Sequence, residues 1–314
     1  MSSTRERVVA VVVSYNRRDL LVEALEALAA QTRLPDAVVV VDNASTDGSA
    51  DAARVAAPGA DVVALARNTG GAGGFAVGLH RAVAAHRPDW VWLMDDDTIP
   101  TPTALAELVD AASASGAAVA GSRVVWHDGS DHPMNTPRAR AFDAPERAAA
   151  AAAVGAISVR SSSFVSMLVA ADAVREAGLP LADYFIWNDD FEFSTRVLRE
   201  RLGIFVPASV VVHKTAKLGA TDVDPGARFR FEVRNKVWML RRSRSLVAGE
   251  KVMYGGSSVM RWARTFAKSA QRDVLRAAFV EGWREGWTTD PRPNSLVLAG
   301  LGDAVRGIDG GADG

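Results

Sequence analysis

The chain has 314 residues, 48% hydrophobic and 23% charged, a balance that fits a soluble globular protein rather than a disordered or fibrous one. It contains no cysteine, which excludes disulfides, thiolate metal sites and cysteine nucleophiles, and no apolar run approaching about 18 residues, so no transmembrane helix is expected. Net charge is −1, yet Arg228 to Arg284 holds 14 basic and four acidic residues; that segment is +10 and the remainder −11, which points to an anionic partner for the C-terminal part.

The first residues, Met1 to Arg7, lack the apolar stretch of a signal peptide, and a cytoplasmic location is expected. Val8 to Val13 is a β-branched run that reads as a buried strand. Leu21, Leu25 and Leu28 recur at helical spacing and predict a helix over Arg18 to Ala30. Val38 to Val41 is a second strand, and Ser45 or Thr46 is placed to cap a helix reaching about Ala56. A third strand covers Val62 to Ala66. A glycine-rich loop, Asn68 to Gly74, then leads into a helix through about Ala85. Trp90 to Met94 is an unbroken apolar run closed by Asp95, Asp96 and Asp97. Four strands alternating with helices demand an α/β fold with a mostly parallel sheet, and their ends bring Ser14, Tyr15, Asp42, Asn68 and the three aspartates to one edge.

Farther on, Thr101-Pro102 starts a helix and Val119 to Val125 forms a strand. His127 to Ala153 has no periodicity and reads as a mobile loop or lid with a short helix. Ile157 to Arg160 and Phe164 to Ala170 predict two strands, and Ala171 to Gly178 a short helix. The aromatic run Tyr184 to Trp187 ends in Asn188-Asp189-Asp190 ahead of a helix over Phe191 to Arg201. Ile204 to Val206 and Val210 to Val212 predict two short strands, the second ending at His213. Beyond Arg228 the pattern is helical and basic, with aromatic residues four apart (Trp262 and Phe266; Phe279, Trp283 and Trp287).

Several stretches carry chemistry. Asp95 and Asp97 point to one side of an extended loop and offer hard oxygen ligands to Mn2+ or Mg2+; the alternative is an acidic turn capping the next helix. Gly71-x-Gly73-x-x-Ala76 matches a dinucleotide fingerprint, which would suggest an NAD-dependent oxidoreductase, but it follows the third strand rather than the first. Asp42 is either a hydrogen-bond acceptor for a ligand or a turn residue. Asp189 and Asp190 are two acids at a helix start, more than capping needs, beside an apolar wall where a carboxylate can act as general base. No nucleophile-elbow spacing occurs.

Taken in order, Val11 to Arg17 (VVVSYNR), Val40 to Ser49 (VVDNASTDGS), Asn68 to Gly71, Asp95 to Asp97 and Trp187 to Asp190 resemble the family 2 inverting glycosyltransferases of GT-A fold. Within that family, Asn68 to Phe75, the acidic triplet, Trp187 to Asp190 and Val212-His213 are most similar to bacterial galactofuranosyltransferases of cell-wall assembly. Rhamnosyltransferases share much of this, together with the Phe231 to Asn235 type of segment. The resemblance implies a Rossmann-like GT-A catalytic domain over 1–227, with a nucleotide-sugar half of about 1–125 and an acceptor half of about 155–227. A basic amphipathic helical region (228–306) and a disordered tail (307–314) are expected to follow it.

By the same resemblance Asp42 reads the nucleotide base beside Ser14, Tyr15 and Asn16. Asn68, Gly70 and Gly71 belong to the donor site. Asp95, Asp97 and His213 hold the metal, and Asp96 lies near the donor sugar. Asp190 is the base, Asp189 supports it or orients the acceptor, and Phe185 and Trp187 shape the acceptor site. The implied reaction moves galactofuranose from a UDP donor, or rhamnose from dTDP-rhamnose, to a polyprenyl-linked glycan. The basic helices suit contact with an anionic membrane surface on the cytoplasmic face. No nucleic-acid module is recognisable, and a homo-oligomer is compatible with the chain. A non-catalytic membrane-bound scaffold that keeps the fold is the remaining class.

Overall fold

The computed structural model describes residues 5–135, 137–140, 143–215 and 224–308. Strand β1 (Val8–Ser14) is buried along its length, as its β-branched run requires for a strand covered on both faces. Helix α1 (Arg18–Ala29) returns over it and buries Leu21, Ala24, Leu25 and Leu28. Then follow β2 (Ala37–Asp42), α2 (Ser49–Ala56), β3 (Asp61–Ala64), α3 (Gly70–Arg81) and β4 (Trp90–Asp95). Strands β3, β2, β1 and β4 are neighbours in that order and mutually parallel, as the alternation predicts.

Two local expectations change. The second helix begins at Ser49, where Asp47 Oδ1 accepts from Ser49 N at 3.0 Å, rather than at a cap on Ser45 or Thr46. The glycine-rich stretch is helix from Gly70 onward. A Cβ on Gly74 would stand 2.5 Å from Val13 Cγ1, and one on Gly78 2.4 Å from Val11 Cγ1, so these glycines let α3 settle onto β1. Tertiary packing overrides their poor helix propensity.

The second half adds β5 (Thr98–Pro100), α4 (Ala104–Ser115), β6 (Val119–Val125), β7 (Arg138–Ala139), α5 (Pro145–Ala153), β8 (Ile157–Ser161), β9 (Met167–Ala170), α6 (Ala171–Ala177), α7 (Asp189–Val197) and β10 (Gly203–His213). β9 inserts antiparallel between β4 and β6, and β10 pairs parallel with β6 and antiparallel with β5 and β8. The two short strands expected around Pro207 are one strand whose register shifts between Val206 and Val210, at a proline that has no N–H to donate. Trp92 is fully buried under this junction and its Nε1 donates to Ser166 Oγ at 3.0 Å. Cutting it to alanine would cost about 3–5 kcal/mol. The expected loop at 127–153 carries a 3-10 turn (Pro133–Asn135), β7 and α5 among its described residues.

Helices α8 (Phe229–Arg241), α9 (Ala248–Lys268), α10 (Arg272–Thr288) and α11 (Asn294–Val297) complete the chain. A Cβ on Gly282 would meet Arg230 O at 2.3 Å, and one on Gly286 would meet Val237 Cβ at 2.6 Å, so two glycines four apart seat α10 against α8. Phe229, Trp262, Phe266 and Phe279 pack together between these helices. Part of the aromatic set expected to face a membrane is therefore interior, whereas Trp283 and Trp287 are exposed. Leu298 and Ile308 are buried in the main core; residues 309–314 of the expected tail lie outside the described residues. No helix among the described residues is long and apolar enough to cross a membrane.

Candidate active site

Sheet register builds the acidic end. Ser14 pairs with Asp42 across β1 and β2, and Val13 with Asp95 across β1 and β4. The antiparallel pair β5–β10 sets His213 opposite Thr98, one residue beyond Asp97. As a result one ligand atom from each of Asp95, Asp97 and His213 lies within 4.8 Å of the others. His213 Nε2 is 3.2 Å from Asp97 Oδ1, yet that buried oxygen makes no well-aligned hydrogen bond. On the other side of the ring, Nδ1 is 3.1 Å from Asn135 Oδ1, an acceptor that keeps a proton on Nδ1 and so makes Nε2 the nitrogen that a metal would claim. Two carboxylates and an imidazole around one point fit Mn2+ or Mg2+ completed by diphosphate oxygens.

Burial, reinforced by the charge of Asp97, pushes the Asp95 carboxyl up to about 7. Burial likewise raises Asp96 to about 6. Burial also works against ionised Asp97, but His213 and Arg17 outweigh it and hold that carboxyl below its usual range. Arg17 is a residue the sequence reading passed over: its Nη1 pairs with Asp97 and lies 3.3 Å from Asp96 Oδ1. Asp96 Oδ2 accepts from Tyr15 N at 3.0 Å.

The donor side is braced by backbone–side-chain bonds. Asn43 donates from Nδ2 to Gly70 O at 2.8 Å and accepts at Oδ1 from Thr69 N at 2.8 Å, tying the end of β2 to the start of α3. Asn68 Oδ1 accepts from Gly70 N at 2.7 Å. Asp42 is 4% exposed; its Oδ2 accepts from Ser45 N at 3.2 Å and its Oδ1 is buried without a partner. Asn16 spends its side chain on Thr46, whose N donates to Oδ1 at 2.8 Å. Ser14, Tyr15, Asn68, Gly70 and Gly71 line a cleft of about 990 Å³ with the three aspartates; Asp42 and Asn16 stand outside its lining. Of the glycines in the dinucleotide-like match, Gly73 packs on Thr69, whereas a Cβ on Gly71 would meet open space.

The far wall is a strained loop. Phe185, Trp187 and Asn188 have φ of 62°, 66° and 63°. Left-handed non-glycine residues cost on the order of 1–3 kcal/mol each and persist only where surroundings enforce them. Here Asn235 enforces them: its fully buried Nδ2 donates to the carbonyls of Tyr184 (2.8 Å), Ile186 (3.0 Å) and Trp187 (2.9 Å). Arg234 adds bonds to Asp183 O and Tyr184 O, and Asn188 Nδ2 donates to Glu232 Oε2 at 2.7 Å. The loop delivers Asp189 and Asp190 into the first turn of α7, and both line the cleft. Burial, and then the charge of Asp190, raise the Asp189 carboxyl well above its usual range and favour its protonated form. Asp190 is half-buried, and its Oδ1 accepts from Phe191 N at 2.6 Å. Phe185 stacks on Phe231 at 5.2 Å, and Arg228 lies over the Trp187 ring.

The arrangement thus gathers a metal-competent triad, the Arg17 guanidinium, a buried acid and a half-buried one in one cleft. Arg17 and Asn235 both lay inside quoted motifs without being given a role; Asn135 sits in the aperiodic stretch and carried no signal.

The Glycosyl transferase family 2 profile matches residues 9–172. Galactofuranosyltransferase GlfT1 of Mycobacterium tuberculosis (strain H37Rv) is 31% identical over 272 residues, 80% of this chain and 88% of that protein. The GlfT1 of Mycolicibacterium smegmatis is 30% identical over 209 residues, 63% of this chain and 67% of that one. Among solved structures, S. aureus TarS 1-349 in complex with UDP superposes with TM-score 0.54 at 15% identity, covering 88% of this chain and 89% of that chain. Mannosyltransferase PcManGT from Pyrobaculum calidifontis, in complex with GDP-Man and Mn2+, gives TM-score 0.54 at 19% identity, covering 95% and 79%. At those identities the two structures share the fold.

Proposed function

The chain belongs to glycosyltransferase family 2, and on that premise we propose that it is a metal-dependent inverting enzyme that moves galactofuranose from UDP-galactofuranose to a polyprenyl-linked glycan. The observation that carries the reading is the meeting of Asp95, Asp97 and His213 with Asp190 in a single cleft. Family membership removes the NAD oxidoreductase and leaves dTDP-rhamnose as the competing donor, on the strength of the Phe231 to Asn235 segment.

Asp95, Asp97 and His213 would hold Mn2+ or Mg2+, which when bound stabilises the negative charge developing on the leaving diphosphate. Asn135, by accepting from Nδ1, would leave Nε2 as the ligating nitrogen of His213. Ser14, Tyr15 and Asn68 bound the nucleotide end, with Asp42 behind them and Asp96 toward the sugar. Asp190 takes the proton of the acceptor hydroxyl. The hydroxyl oxygen bonds to the anomeric carbon from the face opposite the diphosphate, the carbon–diphosphate bond breaks, and configuration inverts once. Asp189, whose protonated form burial favours, is the poorer base and would donate a hydrogen bond to Asp190 or to the acceptor. Phe185 and Trp187 give the sugar an apolar face.

The acceptor's lipid would bring the enzyme to the cytoplasmic face of a membrane. Among the described residues, ten of the 14 exposed large hydrophobic ones fall between Val247 and Leu296, among the basic helices. Cosedimentation with anionic vesicles tests this contact, and sedimentation analysis tests a homo-oligomer. For the donor site, calorimetry is decisive: UDP should bind with Mn2+ or Mg2+ present and weaken at least tenfold with chelator, whereas metal-independent binding would refute the reading.

A further inference from the structure

The acceptor end of the cleft holds charge that the donor does not use. Arg228, Lys236 and Arg261 line the same cleft as the five carboxylates, on the wall built by α8, α9 and the turn before α8. Arg228 is exposed, its guanidinium carbon lies 5.8 Å from the centre of the Trp187 ring, and no carboxylate pairs with it among the described residues. Arg261 is also exposed; its Nη1 stands 3.8 Å from Glu232 Oε1, beyond hydrogen-bond distance. Of the acids of this wall, Glu232 accepts from Asn188 at Oε2 and leaves only the long Oε1 ion pair to Arg261, and Asp224 is bonded to Ser269 and the Gln271 amide. Two guanidinium groups with unspent N–H donors, facing one space beside an aromatic wall, suit a phosphoryl group.

A donor diphosphate would not need this wall, because the metal that Asp95, Asp97 and His213 would hold supplies its counter-charge. At about 990 Å³ the cleft is also at the upper end of what a single small ligand occupies. The helix that brings Arg261 into the cleft turns Val252, Met253, Val259 and Met260 to the outside, all exposed. A phosphate arriving with an apolar chain would meet both faces of α9.

We propose that Arg228 and Arg261 form a second anion subsite, which binds a phosphoryl group carried by the acceptor on an isoprenyl chain. This rests on the reading of the cleft as a transferase site.

The test is calorimetric titration of the whole protein, presaturated with UDP and Mg2+, using citronellyl phosphate, inorganic phosphate and citronellol as probes. Citronellyl phosphate should bind with one equivalent. Arg228→Ala and Arg261→Ala should each weaken it roughly tenfold or more, the loss expected of a charge-assisted pair, while UDP affinity stays within about twofold, which excludes misfolding. Equal binding of inorganic phosphate would support the subsite but assign it to a phosphorylated acceptor without lipid. Equal binding of citronellol, no binding of either phosphate, or undiminished binding by both variants would overturn it. Failure of UDP to bind the wild-type protein at all would instead remove the donor reading beneath it.

Discussion

A Cβ placed on Gly70 would stand 2.0 Å from the carbonyl oxygen of Phe185. The first residue of α3, in the donor half, is therefore in backbone contact with the loop that carries the acceptor wall. Ala72 N donates to the same carbonyl at 3.2 Å. Gly70 also has φ +72°, a conformation L side chains rarely adopt. Gly70→Ala should cost about 2–4 kcal/mol from overpacking and backbone strain together. Gly71→Ala, whose Cβ meets open space, should stay within about 1 kcal/mol of wild type. Urea unfolding of the two variants checks the contrast; equal stabilities would contradict the close approach.

Asn235 is a positioning residue. Asn235→Ala and Asn235→Asp both remove the three donated bonds, and the 185–188 loop should relax from its left-handed conformation. A displacement of about 1 Å at a reacting group costs on the order of 100-fold in rate. The expected pattern is a kcat lowered to that extent with UDP–metal affinity nearly unchanged. Steady-state kinetics beside calorimetry would show it, and a loss confined to donor affinity would rule it out.

The acidic cluster predicts a pH-dependent stability. Asp95 at about 7 and Asp96 at about 6 are raised above their unfolded values. Such carboxyls stabilise the fold fully below about pH 4, and that contribution is lost as pH rises through 6 and 7. Depressed Asp97 works in the opposite sense only under acid conditions, below about pH 4. The metal-free protein should therefore lose on the order of a few kcal/mol between pH 5 and 8. Mn2+ should raise the Tm more at pH 8, where its ligands are ionised, than at pH 5. Asn135→Ala, which frees the His213 ring, should weaken Mn2+ binding by roughly 10–100-fold. Thermal scans with and without Mn2+ decide this, and a metal effect larger at pH 5 would reverse the argument.

The two aspartates of α7 should separate cleanly. General-base catalysis is worth about 100- to 10,000-fold, so Asp190→Asn should lose at least that while still binding UDP and metal. Asp189→Asn replaces an acid whose protonated form burial favours and should lose far less. Comparable losses in both would shift the base or divide its role.

Much of this site was legible in the sequence because its parts sit at the ends of β-branched strands. Val8–Val13 and Trp90–Met94 announce buried parallel neighbours, and parallel topology alone puts Ser14, Asp42 and Asp95 on one edge. Strand direction was not legible: an apolar run such as Met167–Ala170 reads the same parallel or antiparallel, so the insertion of β9 could not be foreseen. Gly70 to Gly74 looked like a loop because local propensity opposes helix, and only tertiary contact, Gly70 on Phe185 and Gly74 on Val13, explains the outcome. Trp262 and Phe279 shared their spacing with Trp283 and Trp287, but spacing identifies a face without saying what covers it. Asn135 reaches His213 across 78 residues from a stretch with no periodic signal, a contact that exists only in the fold.

The most direct measurement is a donor panel. The purified protein is incubated with UDP-galactofuranose, UDP-galactopyranose and dTDP-rhamnose, with a glycan acceptor on an isoprenyl diphosphate, in the presence of Mn2+ or EDTA, and products are read by mass and by NMR of the new anomeric centre. The account predicts transfer from UDP-galactofuranose alone, with inverted configuration, abolished by EDTA and restored by Mn2+. Transfer that survives EDTA, retains configuration, or prefers dTDP-rhamnose would contradict it.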